Sequence, residues 1–141
     1  MNVDDYIKFA NDNPTSYIAT TDGDQPRVRG FLLWFADKTG LYYNTGSMKD
    51  FYRQLKVNPK VEVCFFNPKS QSLDQMRVAG TVEFLDDLEL KKKLLVARPF
   101  LSQWGFTADN PDLIVFRVAK CTAHFWKIET NLAPKEYVNF G

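Results

Sequence analysis

The chain has 141 residues, 45% of them hydrophobic and 15% aromatic, which is the length of one domain and enough to bury a substantial core. Eighteen basic and seventeen acidic side chains leave a formal charge of +1, and no basic run exceeds Lys91-Lys92-Lys93, so nothing marks a nucleic-acid partner. The start of the chain lacks a basic region followed by an apolar stretch, and no segment approaches the roughly 20 apolar residues that cross a bilayer, so a soluble cytoplasmic protein with no membrane partner is expected.

Taken in order, Asn2 caps a first helix over residues 3–12, where Val3, Tyr6, Ile7 and Ala10 recur at helical spacing and Pro14 closes the segment. Residues 16–21 and 27–36 flank Asp22-Gly23-Asp24 and read as a hairpin. A second turn, Asp37-Lys38-Thr39-Gly40, leads to a short strand over 41–44 and completes a meander of three strands. Residues 47–56 read as a helix with Phe51 and Leu55 on one face, ended by Asn58-Pro59 before a strand over 61–66. After a polar loop, the strand over 74–85 carries Gly80 near its middle, a candidate bulge or barrel corner.

Asp86-Asp87 begin a helix over 88–97, with Leu90, Leu94 and Ala97 in one stripe and the three lysines in solvent. Residues 98–111 form an irregular connection containing Phe100, Trp104 and Phe106. Residues 113–118 and 121–128 alternate as a final hairpin, and the tail from Thr130 has little periodicity. Six or seven antiparallel strands with two or three peripheral helices argue for a mainly β domain spanning residues 1–141, built as a small barrel because closure removes exposed strand edges.

The stretch richest in chemistry is Gly-Leu-Tyr-Tyr-Asn-Thr-Gly-Ser-Met-Lys, residues 40–49. It reads as a strand, a hydroxyl-rich turn and the first turn of a helix. Thr45, Ser47 and Lys49 offer two hydroxyls and an ammonium beside unpaired helix amides, a combination suited to a phosphoryl group. Ser47 is equally an ordinary helix cap, and both readings stand. Cys64 and Cys121 fall in apolar strand patterns and read as small buried hydrophobes with reduced thiols. Neither they nor the sole histidine, His124, supply the paired ligand spacing of a zinc site, so no metal is expected. His124, flanked by Ala123 and Phe125, reads as a partnered structural histidine, with proton donation as the alternative.

Gln25-Pro26, Arg29-Gly30-Phe31-Leu32-Leu33, Tyr43-Asn44, Ser47-Met48-Lys49, Asn58-Pro59, Val61 and Gln75-Met76-Arg77-Val78-Ala79-Gly80 follow one another in an order that resembles the pyridoxamine 5'-phosphate oxidase family of flavoproteins. The resemblance covers about residues 15–86, and the segment from Val115-Phe116-Arg117 to Trp126 is similar to that of the smaller members. It implies a split β-barrel homodimer with FMN at the subunit interface. By this resemblance Arg29 and the backbone through Gly30, Phe31 and Leu32 run along the flavin and its phosphate, with Arg27 on the same strand face as a second ligand or a rim charge. Tyr43, Asn44 and Thr45 lead into the phosphate turn, Ser47 and Lys49 hold the phosphate, Gln75 faces the ring, and Trp126 packs on a flavin edge from the neighbouring subunit.

Two departures narrow the expectation. Met48 replaces an arginine of the oxidase's phosphate turn, and Trp34 stands where the oxidase carries a lysine for its vitamin substrate, which argues against pyridoxamine phosphate oxidation itself. The expected function is an FMN-dependent oxidoreductase passing electrons from a nicotinamide or other reductant to a small aromatic or nitro acceptor. A flavin carrier without turnover, and a haem- or deazaflavin-binding relative on the same barrel, are the alternatives.

Overall fold

The computed structural model describes residues 1–141. The first helix, α1 (Val3–Asp12), starts on a reciprocal cap: the Asn2 side chain accepts from the Asp5 amide at 3.0 Å and the Asp5 carboxylate accepts from the Asn2 amide at 2.8 Å. Tyr6 and Ala10, four residues apart, turn inward. The hairpin follows as β1 (Thr15–Asp22) and β2 (Gln25–Leu32), reversing at Gly23 with φ +64°. The single strand expected over 27–36 is interrupted. Leu33 is buried and its amide turns away to the Pro14 carbonyl at 2.8 Å, so the chain resumes as a separate β3 (Phe35–Asp37) paired with β4 (Gly40–Gly46).

Next come α2 (Asp50–Val57), β5 (Lys60–Phe66), β6 (Gln75–Phe84), α3 (Leu88–Ala97), α4 (Phe100–Gln103), β7 (Leu113–Trp126) and β8 (Val138–Phe140). All eight strands join one antiparallel sheet in the order β2-β1-β5-β6-β7-β4-β3, with β8 added to β7. The outermost strands of that order, β2 and β3, are consecutive in the chain, so the link Leu33-Trp34 carries one sheet edge into the other and closes a barrel. Its interior is aromatic. Tyr43 and Phe116 stack at 5.4 Å, Phe31 and Phe51 meet at 4.6 Å, and the Tyr43 hydroxyl is 2.8 Å from Ser16 Oγ with no access to water. Burial raises the Tyr43 pKa and keeps it a neutral phenol.

The expected hairpin over 113–128 is instead one strand of 14 residues. Lys120 sits at φ +52°, and the register against β6 slips between Ala79 and Thr81, so the strand bends at this point where a hairpin would reverse it. Gly80 is the bulge residue, as its place in the sequence suggested. A Cβ there would stand 2.6 Å from Val118 Cγ1 and 2.8 Å from the Ala119 carbonyl oxygen. The bend also frees the second half of β7 to pair with β8, which draws order out of the aperiodic tail.

The inward stripe of α3 differs from the expected Leu90, Leu94 and Ala97. Lys91 and Leu94 are buried and Ala97 is exposed. Leu94 and Leu101 pack on Leu113 and Val115, covering the outer side of the first half of β7. The rotation is fixed by Arg98 just beyond the helix, which donates to Asn44 Oδ1 and, at 2.9 Å, to the Leu32 carbonyl. Lys91, Leu94 and Arg98, spaced three and four residues apart, therefore share one face. No helix is long and apolar enough to cross a membrane.

Replacing Gly80 with alanine forces backbone and side chain apart at the bend. Gly80→Ala is expected to lower the unfolding free energy by roughly 2–3 kcal/mol in urea titration, with α-helical ellipticity retained.

Candidate functional site

The turn between β4 and α2 is built differently from a simple serine cap. Lys49 is the N-cap residue and its side chain caps nothing. The Ser47 hydroxyl donates to Asp112 Oδ1 at 2.6 Å and the Ser47 amide to the Asp112 carbonyl at 3.1 Å, so Ser47 ties the turn to the start of β7. Because the turn closes through Lys49 N–H to the Gly46 carbonyl at 3.2 Å, helical hydrogen bonding begins only at Asp50, three residues later than expected. The first-turn amides of α2 consequently meet no side-chain acceptor. Thr45, one residue before the turn, has a buried hydroxyl without a hydrogen-bond partner.

Around this helix start the chain gathers positive charge. Arg29 lies on the inner side of β2, where Nη1 donates to Thr20 Oγ1 at 2.8 Å and Nη2 to Gln54 Oε1 at 2.8 Å, with the guanidinium 4.8 Å from the centre of the Phe51 ring. Gln54 is buried and accepts from Thr20 as well, at 2.6 Å, so one amide oxygen locks α2 to the mouth of the barrel. Burial, then the like charge of Arg27, lowers the Arg29 pKa. Arg27 Nε is 3.5 Å from Asp22, and Arg53 reaches Asp22 at 3.6 Å and Asp50 at 3.7 Å. Arg27, Arg29, Lys49 and Arg53 thus outnumber the two carboxylates among them, and the three surface pairs are long and wet, worth little in stability. Arg53 and Gln54 are absent from the residues picked out by sequence. The available signal was helical spacing: Arg53 follows Lys49 by four residues and therefore shares its side of the helix.

The other picked residues divide by the alternation of the sheet. Phe31 and Tyr43 are core residues, and Asn44 faces Arg98 on the outside of the barrel. Gly30 and Leu32 point outward too. Across the sheet Gly30 stands opposite Tyr17, Tyr17 opposite Cys64, Cys64 opposite Arg77 and Arg77 opposite His124; Gln75 stands between Phe66 and Trp126. This outer face is covered by no other element at its β2–β1 end: Val28 is 69%, Leu32 53% and Tyr17 48% exposed. Cys64 is only half-buried here, whereas Cys121 belongs to the core and its thiol is pushed up to about 12 by burial; both are unpaired. Arg29 and Trp126 therefore sit on opposite faces of the sheet, four strands apart.

His124 is buried, and its Nε2 accepts from Arg77 Nε at 3.1 Å, which fixes a neutral ring with its proton on Nδ1. It borders a cleft of about 340 Å³ between the end of β7 and residues 127–136, shared with Tyr6, Phe125 and Trp126. The Trp126 indole donates to Asn131 at 2.9 Å, and Ile128 N–H to the Ser72 carbonyl at 3.0 Å holds this strap in place.

The family model described as pyridoxamine 5'-phosphate oxidase matches residues 4–127. The chain belongs to the pyridoxamine 5'-phosphate oxidase family. A NimC/NimA family protein from Clostridium acetobutylicum shares 28% identity and a TM-score of 0.80, over 97% of this chain and 92% of that one. General stress protein 26 from Bacillus anthracis shares the fold at 18% identity and a TM-score of 0.75, over 99% and 100%. The haem storage protein HutZ from Vibrio cholerae does so at 15% identity and a TM-score of 0.64, over 84% and 90%. No curated protein matches the chain. Members of the family commonly bind flavin, so the split barrel described above is a frame on which both flavin- and haem-associated proteins are built.

Burial, Arg77 and Lys135 lower the His124 pKa from its ordinary 6.5. Because the folded state resists the proton that the unfolded state accepts, this contribution to stability is complete above pH 6.5 and is lost as pH falls below it. Urea titrations at pH 7.5 and pH 5 are expected to show a smaller acid loss for His124→Gln than for the natural protein, and equal losses would remove His124 from the account.

Proposed function

We propose that the chain is an FMN-binding oxidoreductase that works as a homodimer, with the nucleotide's phosphate at the α2 helix start and its ring against the uncovered sheet face. The observation that carries this reading is the concentration of Arg27, Arg29, Lys49 and Arg53 beside helix amides that no side chain caps. A near-dianionic phosphate is what such a set of donors accommodates, each charge-assisted bond contributing about 1.5–3 kcal/mol. The buried unpartnered Thr45 hydroxyl adds a further donor at the same corner. Ser47 fits the role less well, since its hydroxyl is already given to the anionic Asp112. Arg53 compensates for Met48, an exposed thioether where the oxidase has a cation.

FMN, when bound, supplies two-electron chemistry between a reductant such as NADH and a small acceptor. The chain's part is to hold the phosphate with Arg53 and Lys49, to orient the ring with Gln75 and Trp126, and to exclude water. Trp126 lies four strand spacings from β2 along the sheet, about 19 Å, and on the opposite face from Arg29. A second copy docking on the exposed Tyr17, Val28 and Leu32 supplies an aromatic edge to the first copy's nucleotide and buries apolar surface that is otherwise wet. Haem is the weaker reading, because the one histidine is buried and its Nε2 is occupied by Arg77.

Protein purified without added ligand is expected to be yellow, to release FMN on denaturation and to be reduced by NADH or NADPH faster than free FMN; a Soret band in place of flavin bands would overturn the reading. Arg53→Ala and Lys49→Ala are each expected to weaken FMN about tenfold or more while leaving riboflavin, which has no phosphate, within about twofold. Equal losses for the two ligands would place the phosphate elsewhere. Val28→Glu is expected to convert a dimer to a monomer in light scattering and to lose FMN together with the dimer.

A further inference from the structure

The charged residue that the fold treats least as expected is Lys91. Only 9% of its side chain is exposed, and its one ionic partner is Asp86, 3.5 Å away and itself fully in water. An ammonium carries three donors. One long contact to a solvated carboxylate leaves most of that capacity unspent. Lys91 and Asp86 border a cleft of about 270 Å³ between α2 and α3, whose other walls are apolar and include Tyr52, Phe84, Ile114 and Val115. The Tyr52 and Phe84 rings meet at 4.9 Å and present an aromatic wall, with Lys56 over the Tyr52 ring at 5.4 Å.

We propose that this cleft is a second ligand site, distinct from the cationic corner, for a small apolar monocarboxylate whose ring or branched chain packs on Tyr52 and Phe84 while its carboxylate takes the Lys91 ammonium. The chemistry selects that class. A single ammonium with no arginine fork suits one carboxylate and not a phosphate dianion. The volume admits one ring and not a nucleotide. The apolar walls reward a hydrophobic body, and none of Arg27, Arg29, Lys49 or Arg53 lines the cleft. Asp86 competes for the same ammonium from the solvent side, so the ligand's carboxylate completes a coordination that the chain leaves loose.

The test is a titration of phenylacetate into the isotope-labelled full chain, as purified, followed by amide and methyl NMR. Saturable shifts are expected at Leu85, Lys91 and Ile114, with benzyl alcohol, the uncharged counterpart, binding about tenfold more weakly. Lys91→Met is expected to weaken phenylacetate about tenfold or more and to leave benzyl alcohol unchanged. Asp86→Asn, which removes the competing carboxylate at the cleft, is expected to strengthen phenylacetate about two- to fivefold. Should Lys91→Met fail to fold, the two probes and Asp86→Asn still decide the matter in folded protein. Absence of saturable shifts, equal affinity for the two probes, or no gain with Asp86→Asn overturns the proposal, and none of these outcomes bears on FMN.

Discussion

The period-two alternation of β2 is the constraint from which the rest of the site follows. This strand is an edge of the sheet yet runs straight into the other edge, so its two faces look onto different worlds. One points at the mouth of the barrel and carries Arg27, Arg29 and Phe31; the other points away from the core and carries Val28, Gly30 and Leu32. A slip of one residue would bury an arginine's neighbour and drive Leu32 into the mouth. The register is held by eight consecutive pairings with β1 and by the Ser16 hydroxyl, which donates to the Phe31 carbonyl at 2.9 Å and accepts from the Tyr43 hydroxyl at 2.8 Å.

At the mouth itself, Gln54 is the pivot. Its side-chain oxygen receives both Thr20 and Arg29, so α2, the first strand and the edge strand share one acceptor. Such a shared polar node orients Arg29 while keeping it cationic, and a partly buried guanidinium held by neutral groups keeps more of its field for an incoming anion than one neutralised by a carboxylate. Asp22 and Asp50 restrain Arg53 and Arg27 only through long contacts, which a stronger anion can displace at small cost.

Local signals in the sequence carried the elements they could carry. The Asn2 cap, the Gly23 turn, the Gly80 bulge and the Asp87 cap each act within a few residues, and each is where the residue pattern put it. What escaped was set by distant partners. The break at Leu33 answers to Pro14, the unbroken β7 answers to β4, β6 and β8 at once, and the rotation of α3 answers to Arg98 meeting Asn44 and Leu32. The same division holds in the candidate site. Arg29 and Lys49 were legible from motif order, while the diversion of Ser47 to Asp112, 65 residues away, and the recruitment of Gln54 have no local mark.

Asn11 clamps both backbone groups of Ala36, donating to its carbonyl at 3.0 Å and accepting from its amide at 2.9 Å. Arg98 does the same service for the Leu32 carbonyl on the opposite border. Hydrogen-bonding groups that would invite a foreign strand are thereby spent on side chains of the same molecule. An approaching strand finds no free pairing groups at Ala36 and none on the Leu32 carbonyl, so lateral ribbon addition, the route to fibrils, is discouraged at these two points.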